Sequence, residues 1–394
     1  MEIFVTGIGA ISAIGDNSAE IFLSLKKGKT GISYLDFLDT KFKDFPCGEI
    51  KKDYFSLANA AQISDELPLV RTPLLGLIAA NEALKMATLE KKSRIAFVSG
   101  TTVGGMDRME MFYDDFVNND KKNFWLYPHN IGDSTDFIAE NLEIKPTFTT
   151  SISTACSAGA NAILYASMLI ESGKFDIVIA GGAESLSKYH FNGFNSLKIL
   201  STEVCKPFDE NRNGLNLGEG AGYLVLESFE SIKKRQKEPL CKLIGVGNAC
   251  DAFHQTATSD LGEGPYLAMT KAIRYADILP QEIDYINCHG TGTLNNDLTE
   301  LRALNRVFGD KIPDFSSTKS FTGHTTSASG ALEAVISVMC LKNNFLPMNL
   351  GFETPISELN FLPLTFSKEK KLNFVMSNSF GFGGNDTSLI FSKS

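Results

Sequence analysis

The sequence has no CxxC pair and no HExxH, and its seven cysteines are an odd number. Neither a disulfide framework nor a zinc site is indicated by such a set. Positive charge is in deficit as well. A net charge of −9 argues against nucleic acid as a partner, because a phosphate backbone needs a basic face. Long apolar runs are missing; stretches such as 74–80 are too short to span a bilayer, so no membrane partner is expected. Residues 1–6 enter a β-type pattern directly, without a basic leader, and neither a secretory signal nor a lipid anchor is expected. A reducing cytosol fits these absences. The full GxGxxG pattern is also lacking. Ser12 stands where a third glycine would follow Gly7-Ile8-Gly9, and Gly245-Val246-Gly247 is equally partial. These pairs read as strand-end glycines rather than a dinucleotide cofactor site.

What is present is a chain of 394 residues, 43% hydrophobic and 21% charged. That suits a soluble globular protein of one large domain or two ordinary ones. A weak internal repeat runs through it in constant order. Phe4-Val5-Thr6-Gly7-Ile8-Gly9-Ala10 resembles Leu243-Ile244-Gly245-Val246-Gly247-Asn248-Ala249. Segment 95–101 pairs with 284–291, the region around Cys156 with 314–340, and 176–182 with 373–378. The period is too long for a solenoid. Short β-branched strands alternate with helical stretches at 79–88, 265–275, 298–308 and 330–342. The reading is a layered α/β protein made of two half-units, 1–238 and 239–394, with two mixed sheets and a boundary in the polar segment 231–238.

Cys156 lies in Thr154-Ala155-Cys156-Ser157-Ala158-Gly159. A Thr- and Ser-rich β-type stretch (147–153) precedes it and a helical stretch (160–170) follows. The thiol is therefore expected at a strand-to-helix junction, where unpaired backbone N–H groups favour the nucleophilic thiolate. Nucleophile elbows display a serine in the same way. A free cysteine is ordinarily inert packing, so the assignment needs partners from elsewhere in the chain. Two histidines sit in glycine- and threonine-rich turns. His289 ends an apolar β run in Asn287-Cys288-His289-Gly290-Thr291-Gly292-Thr293, and His324 follows Thr322-Gly323. In the repeat, His324 occupies the loop that corresponds to the loop of Cys156, so the duplication brings both to one junction.

Taken together, the Cys156 motif, His289-Gly290-Thr291-Gly292-Thr293, Lys319 with Gly323-His324, and Ser379-Phe380-Gly381-Phe382-Gly383-Gly384 resemble the elongating β-ketoacyl-acyl-carrier-protein synthases of the thiolase-fold superfamily. The resemblance covers essentially the whole chain and keeps the motif order. It implies a thiolase-like αβαβα arrangement, no cofactor or metal, and a discrete synthase without a fused carrier or transferase domain. It further implies a decarboxylative Claisen condensation between a malonyl thioester and an acyl group on Cys156. The backbone N–H groups of Cys156 and Phe382 would form the oxyanion hole, and His289 and His324 would donate to the malonyl carbonyl. Neutral imidazoles suit that task without a second buried charge. Lys319 would stand behind them. Glu333, the only charge in the apolar run 331–341, needs a buried partner, and Lys319 is the obvious one; a structural ion pair and a catalytic role are compatible. Phe382, between glycines, would be a swinging gate, with ordinary core packing as the other reading. Met106 and Met109, after the Gly104-Gly105 turn, are candidates for an acyl pocket.

The chain departs from the family at Thr326 and Ser327, at Asp386 after Asn385, and at Asn216. These positions bear on the substrate. Carrier docking is thinly provided: Asp65 and Glu66 stand where basic residues are common, leaving Arg71 and Lys206. A specialised polyene or polyketide pathway therefore stands beside fatty-acid elongation. The expected partner is acyl carrier protein, with the chain as a homodimer or in a heterodimer with a chain-length partner. A thiolase would need a late Cys-x-Gly turn, but Cys340 lies in a helical pattern. An initiating synthase would use one histidine and an asparagine. A chain-length partner would lack the nucleophile.

Overall fold

Among the described residues, ten strands join in one mixed sheet whose order displays the duplication. The structure is a computed structural model describing residues 2–64, 70–90, 94–119 and 130–394; Asp65 and Glu66 lie outside them. The first half supplies β1 (Ile3–Ser12), β2 (Ala96–Gly100), β3 (Phe148–Ile152), β4 (Ile177–Glu184) and β5 (Gly220–Ser228). The second supplies β6 (Cys241–Cys250), β7 (Tyr285–Asn287) and β8 (Asp314–Ser316). A separate two-stranded ribbon of β9 (Phe345–Leu346) and β10 (Lys368–Glu369) follows, then β11 (Phe374–Gly381) and β12 (Asn385–Ser392).

The first half runs β3-β2-β4-β5-β1 and the second, outward from the centre, β6-β12-β11-β7-β8. Exchanging each strand for its repeat partner turns one order into the other. The senses agree too: β2 is parallel to β3 and β4, as β7 is to β8 and β11, and the remaining neighbours are antiparallel. The two expected sheets are joined at their inner edges, where Ile3–Val5 pairs antiparallel with Cys241–Leu243. Pairing β1 with β6 satisfies two rows of backbone groups that would otherwise be open edges.

The helices complete the layers: α1 (Arg71–Ala87), α2 (Met106–Asn119), α3 (Ala158–Glu171), α4 (Lys188–Ser196), α5 (Glu263–Ala276), α6 (Leu294–Phe308) and α7 (Ser329–Asn343). α1 covers the outer face of the first half-sheet and α5, backed by α6, that of the second. The repeat-related α3 and α7 pack on each other between the half-sheets. α7 is buried continuously from Ser329 to Leu341, as an all-round apolar helix should be. α1 begins at Arg71 rather than near 79; Pro73 is tolerated in a first turn, and Gly76 had obscured the pattern. The polar segment expected at the boundary is largely a short helix, Phe229–Arg235.

α3 and α7 approach so closely that each needs a glycine in its first turn. A Cβ on Gly159 would lie 2.8 Å from the Ala331 Cβ, and one on Gly330 would lie 2.8 Å from the Ala160 Cβ. This crossing holds both helix N-termini, and hence both reactive loops, at one point. Gly330→Ala should therefore destabilise the fold by overpacking, by about 1–3 kcal/mol, read as a lower midpoint in chemical denaturation; an unchanged midpoint would show that the helices have room to spare.

Candidate active site

The nucleophile loop is clamped from both halves. After β3 the chain turns sharply, with Ala155 at φ +51°, a conformation a non-glycine residue adopts only when its surroundings impose it. Cys156 is buried, 5% exposed, directly before α3. Its carbonyl accepts from Ser379 Oγ at 3.0 Å. The Asn385 Oδ1 accepts from Ser157 Oγ (2.9 Å), Asn161 Nδ2 (2.7 Å) and Asn248 Nδ2 (2.9 Å). Residues of β6, β11 and β12 thus fix a loop that belongs to the first half.

Two backbone N–H groups, of Phe382 and of Cys156 itself, act on the sulfur and favour its charged form, as does the Lys319 ammonium. Burial outweighs them and pushes the thiol up to about 11. Loss of water thus opposes the ready ionisation expected of a thiol at a helix start.

Both histidines reach the same place. His289 and His324 are buried, and their rings lie 5.3 Å apart, nearly perpendicular at 85°. The His289 turn is held by Glu300 on α6, whose carboxylate accepts from the N–H groups of His289 (2.9 Å) and Gly290 (2.8 Å). His324 is placed by a pair of backbone bonds, donating to the Asn216 carbonyl (2.7 Å) while its own carbonyl accepts from Gly218 (3.0 Å). Its Nδ1 meets Ser329 Oγ at 2.8 Å.

Lys319, 1% exposed, ties the pair to the core. Its ammonium donates to the Glu333 carboxylate, to the His289 carbonyl at 2.6 Å and to His289 Nδ1 at 3.3 Å. An ammonium has protons only to give, so Nδ1 is the acceptor and the ring proton resides on Nε2. Burial, Lys319 and His324 together hold His289 well below the ordinary histidine range; burial, Lys319 and His190 do the same for His324. Both rings are neutral, and His289 presents an Nε2–H donor. Burial pushes Glu333 up to about 7 against the pull of Lys319.

Cys156, His289, His324 and Phe382 line one cavity of about 330 Å³, with Thr291 and Thr293 among its other walls. Cys156 and Phe382 also line a second cavity of about 310 Å³, with Phe194, His190 and Thr326. The Phe382 ring stacks on Phe194, centroids 5.6 Å apart and 27° between planes. Gly383 follows at φ +80°, in the left-handed region that favours glycine.

Other expected residues fall elsewhere. Arg71 is 5% exposed, and its guanidinium grips Glu219 in bidentate fashion (2.8 and 2.6 Å) and the carbonyls of Ile50 and Lys52. A guanidinium so occupied cannot meet a carrier surface, which corrects the docking expectation. Lys206 remains partly exposed, 3.6 Å from Glu353. Met106 and Met109 are half-buried on α2 and line neither cavity at Cys156; the pocket walls come from α4 and the Thr326 turn instead. The Asn216 side chain is fully engaged by backbone groups of Cys205, Glu203 and Pro46. Asp386 is buried and raised to about 9 by burial and by Asp251 and Glu300. Glu300, Asn385 and Ser329 escaped the sequence reading, since a helix acid, an amide and a serine carry no motif of their own.

A family model for the N-terminal domain of β-ketoacyl synthases matches residues 1–231, and one for their C-terminal domain matches residues 240–353. The chain belongs to the β-ketoacyl synthase family. It is thereby an acyltransferase-type condensing enzyme. The 3-oxoacyl-[acyl-carrier-protein] synthase 2 of Staphylococcus aureus (strain MRSA252) is 32% identical, covering 100% of this chain and 98% of the relative. Among solved structures, the ishigamide ketosynthase/chain length factor superposes with a TM-score of 0.92 at 28% identity, covering 100% and 99%. The ketosynthase ApeO, in complex with its chain length factor ApeC from Xenorhabdus doucetiae, gives 0.83 at 32%, covering 100% and 98%. The thiolase-like fold class of this synthase is theirs.

The raised thiol has a kinetic signature. Alkylation of Cys156 by iodoacetamide, followed on its own peptide, should accelerate about tenfold per pH unit between about pH 7 and pH 9, without levelling. A plateau below pH 8 would mean that the thiolate already dominates there.

Proposed function

We propose that this synthase condenses an acyl group held on Cys156 with a malonyl thioester delivered by acyl carrier protein, releasing carbon dioxide. The observation that carries the reading is the single cavity shared by Cys156, His289 and His324. In the first half-reaction the Cys156 sulfur attacks the acyl thioester carbonyl. The new C–S bond forms, the carrier sulfur leaves, and the thiol proton goes to that departing sulfur. The N–H groups of Phe382 and Cys156 hold the oxygen while it is negative. In the second half-reaction the malonyl carbonyl oxygen sits at the two imidazoles. Breaking the bond to the carboxylate releases carbon dioxide and leaves its electron pair as an enolate, stabilised by donation from His289 Nε2–H and from His324. The enolate carbon attacks the acyl carbonyl, the C–S bond breaks with its electron pair on sulfur, and the Cys156 thiolate takes up a proton from water to restore the thiol.

Lys319 and Glu333 are positioning residues in this scheme. They fix the tautomer of His289 and keep positive charge behind a forming anion. Phe382 is the gate between the two cavities, and its stacking on Phe194 supports that role. Lys206 is the carrier-docking candidate that remains. The seven cysteines are all free, in keeping with a cytoplasmic location, and no helix among the described residues is long and apolar enough to cross a membrane. The half-units 1–238 and 239–394 act as one catalytic body.

The chain works as a dimer. Among the described residues β3 is an edge strand paired with β2, with all five residues half-buried, and it offers a second subunit a strand to pair with. The chain length factors in complex with two of its structural neighbours favour a heterodimer as the second reading beside a homodimer, in a polyene or polyketide pathway as well as in fatty-acid elongation. This chain would be the catalytic member, since it carries Cys156.

Cys156→Gln separates the half-reactions. Condensation should fall below detection, while malonyl decarboxylation persists at the wild-type rate or above. Condensation retained by this variant would refute the assignment.

A further inference from the structure

We propose that the second cavity selects acyl groups bearing a hydroxyl or keto oxygen within about six carbons of the thioester, over all-hydrocarbon chains. This rests on Cys156 being the acyl carrier, as read above.

The cavity's floor and gate are apolar, with Phe194, Leu197 and Phe382. Other lining residues are polar, among them Thr102 from the loop after β2, His190 from α4, and Thr326 from the turn before α7. Two of these carry a buried polar atom without a hydrogen-bond partner among the described residues: His190 Nε2 and Thr326 Oγ1. Buried polar atoms are nearly always paired, so two orphans on one small cavity point to a partner that enters it.

The surroundings hold these side chains in place while leaving those atoms free. The other ring nitrogen of His190, Nδ1, meets Ser187 Oγ at 2.9 Å, and burial lowers the ring to about 4, so it is a neutral hydrogen-bonding group. Thr102 is tied to Glu184 through its backbone N–H, at 2.6 Å from Oε2, and through its hydroxyl, so its oxygen is already engaged. Next to Thr326, Ser327 donates to that carboxyl at 2.7 Å. Thr326 itself stands at φ +46°, where a β-branched residue is a genuine outlier. Such strain persists only where the structure over-determines it. A cavity of about 310 Å³ is at the small end of ligand sites, so an entering acyl group passes close to its walls.

A saturated acyl chain would cover the His190 and Thr326 atoms and leave them unpaired. An oxygen on the chain would pair with at least one of them. Sites built to pair with a substrate oxygen discriminate strongly against analogues that lack it.

The test is single-turnover loading of Cys156 in the full-length protein, measured by intact mass. The donors are N-acetylcysteamine thioesters of hexanoate, 3-hydroxyhexanoate, 3-oxohexanoate and 5-hydroxyhexanoate. At least one oxygenated donor should load roughly 10–100 times faster than hexanoate. Thr326→Val and His190→Phe should each shrink that ratio about tenfold, whereas Thr326→Ser, which keeps the hydroxyl, should preserve it. The ratio compares donors on one protein, so a general loss of folded enzyme does not mimic the effect. Hexanoate loading as fast as every oxygenated donor would overturn the inference and leave the reading of Cys156 standing. No adduct from any donor would overturn both.

Discussion

A single buried ammonium organises the centre of this molecule. Lys319 is buried, and Glu333, the His289 carbonyl and His289 Nδ1 surround its side-chain nitrogen. A buried charge must be paired and hydrogen-bonded, so these four groups form one unit. That unit fixes which nitrogen of His289 carries the proton, suppresses protonation of both rings, and couples the β8–α7 segment to the β7 turn. Together with burial, it keeps the two imidazoles neutral.

The duplicated architecture brings these groups together. The nucleophile precedes α3, and His324 precedes α7, the copy of α3 in the second half. Because α3 and α7 cross at Gly159 and Gly330, their preceding loops meet. The loops are then tied across the halves by the Asn385 amide and by Ser379. The sheet contributes continuity, since β1 and β6 close the seam between the copies. The second cavity opens at the same sulfur, and beside Cys156 and Phe382 its walls come from α4 and the Thr326 turn.

Much of this was legible in the chain. The repeat could be read because its glycine-bearing strands keep their order, and the strand topology reproduces it pair for pair. Cys156, His289, His324, Lys319 and Glu333 could be read because each is an unusual residue for its local pattern. Other features depended on partners far along the chain. Arg71 looks like a free surface charge until Glu219 is found against it. The thiol at a helix start looks activated until its burial is counted. Met106 and Met109 follow a strand-end turn, as a pocket residue would, yet α2 leads them away from the cavities. Asn216 looks like a substrate contact, but its amide is engaged by backbone groups of two other segments, at 201–205 and at Pro46.

The most direct test of the claim about Lys319 is the ¹⁵N chemical shift of the His289 ring, assigned by its loss in His289→Ala, at about pH 6. The account predicts a neutral ring protonated on Nε2, with its signals unchanged from about pH 8. An imidazolium signal, or a proton on Nδ1, would contradict it.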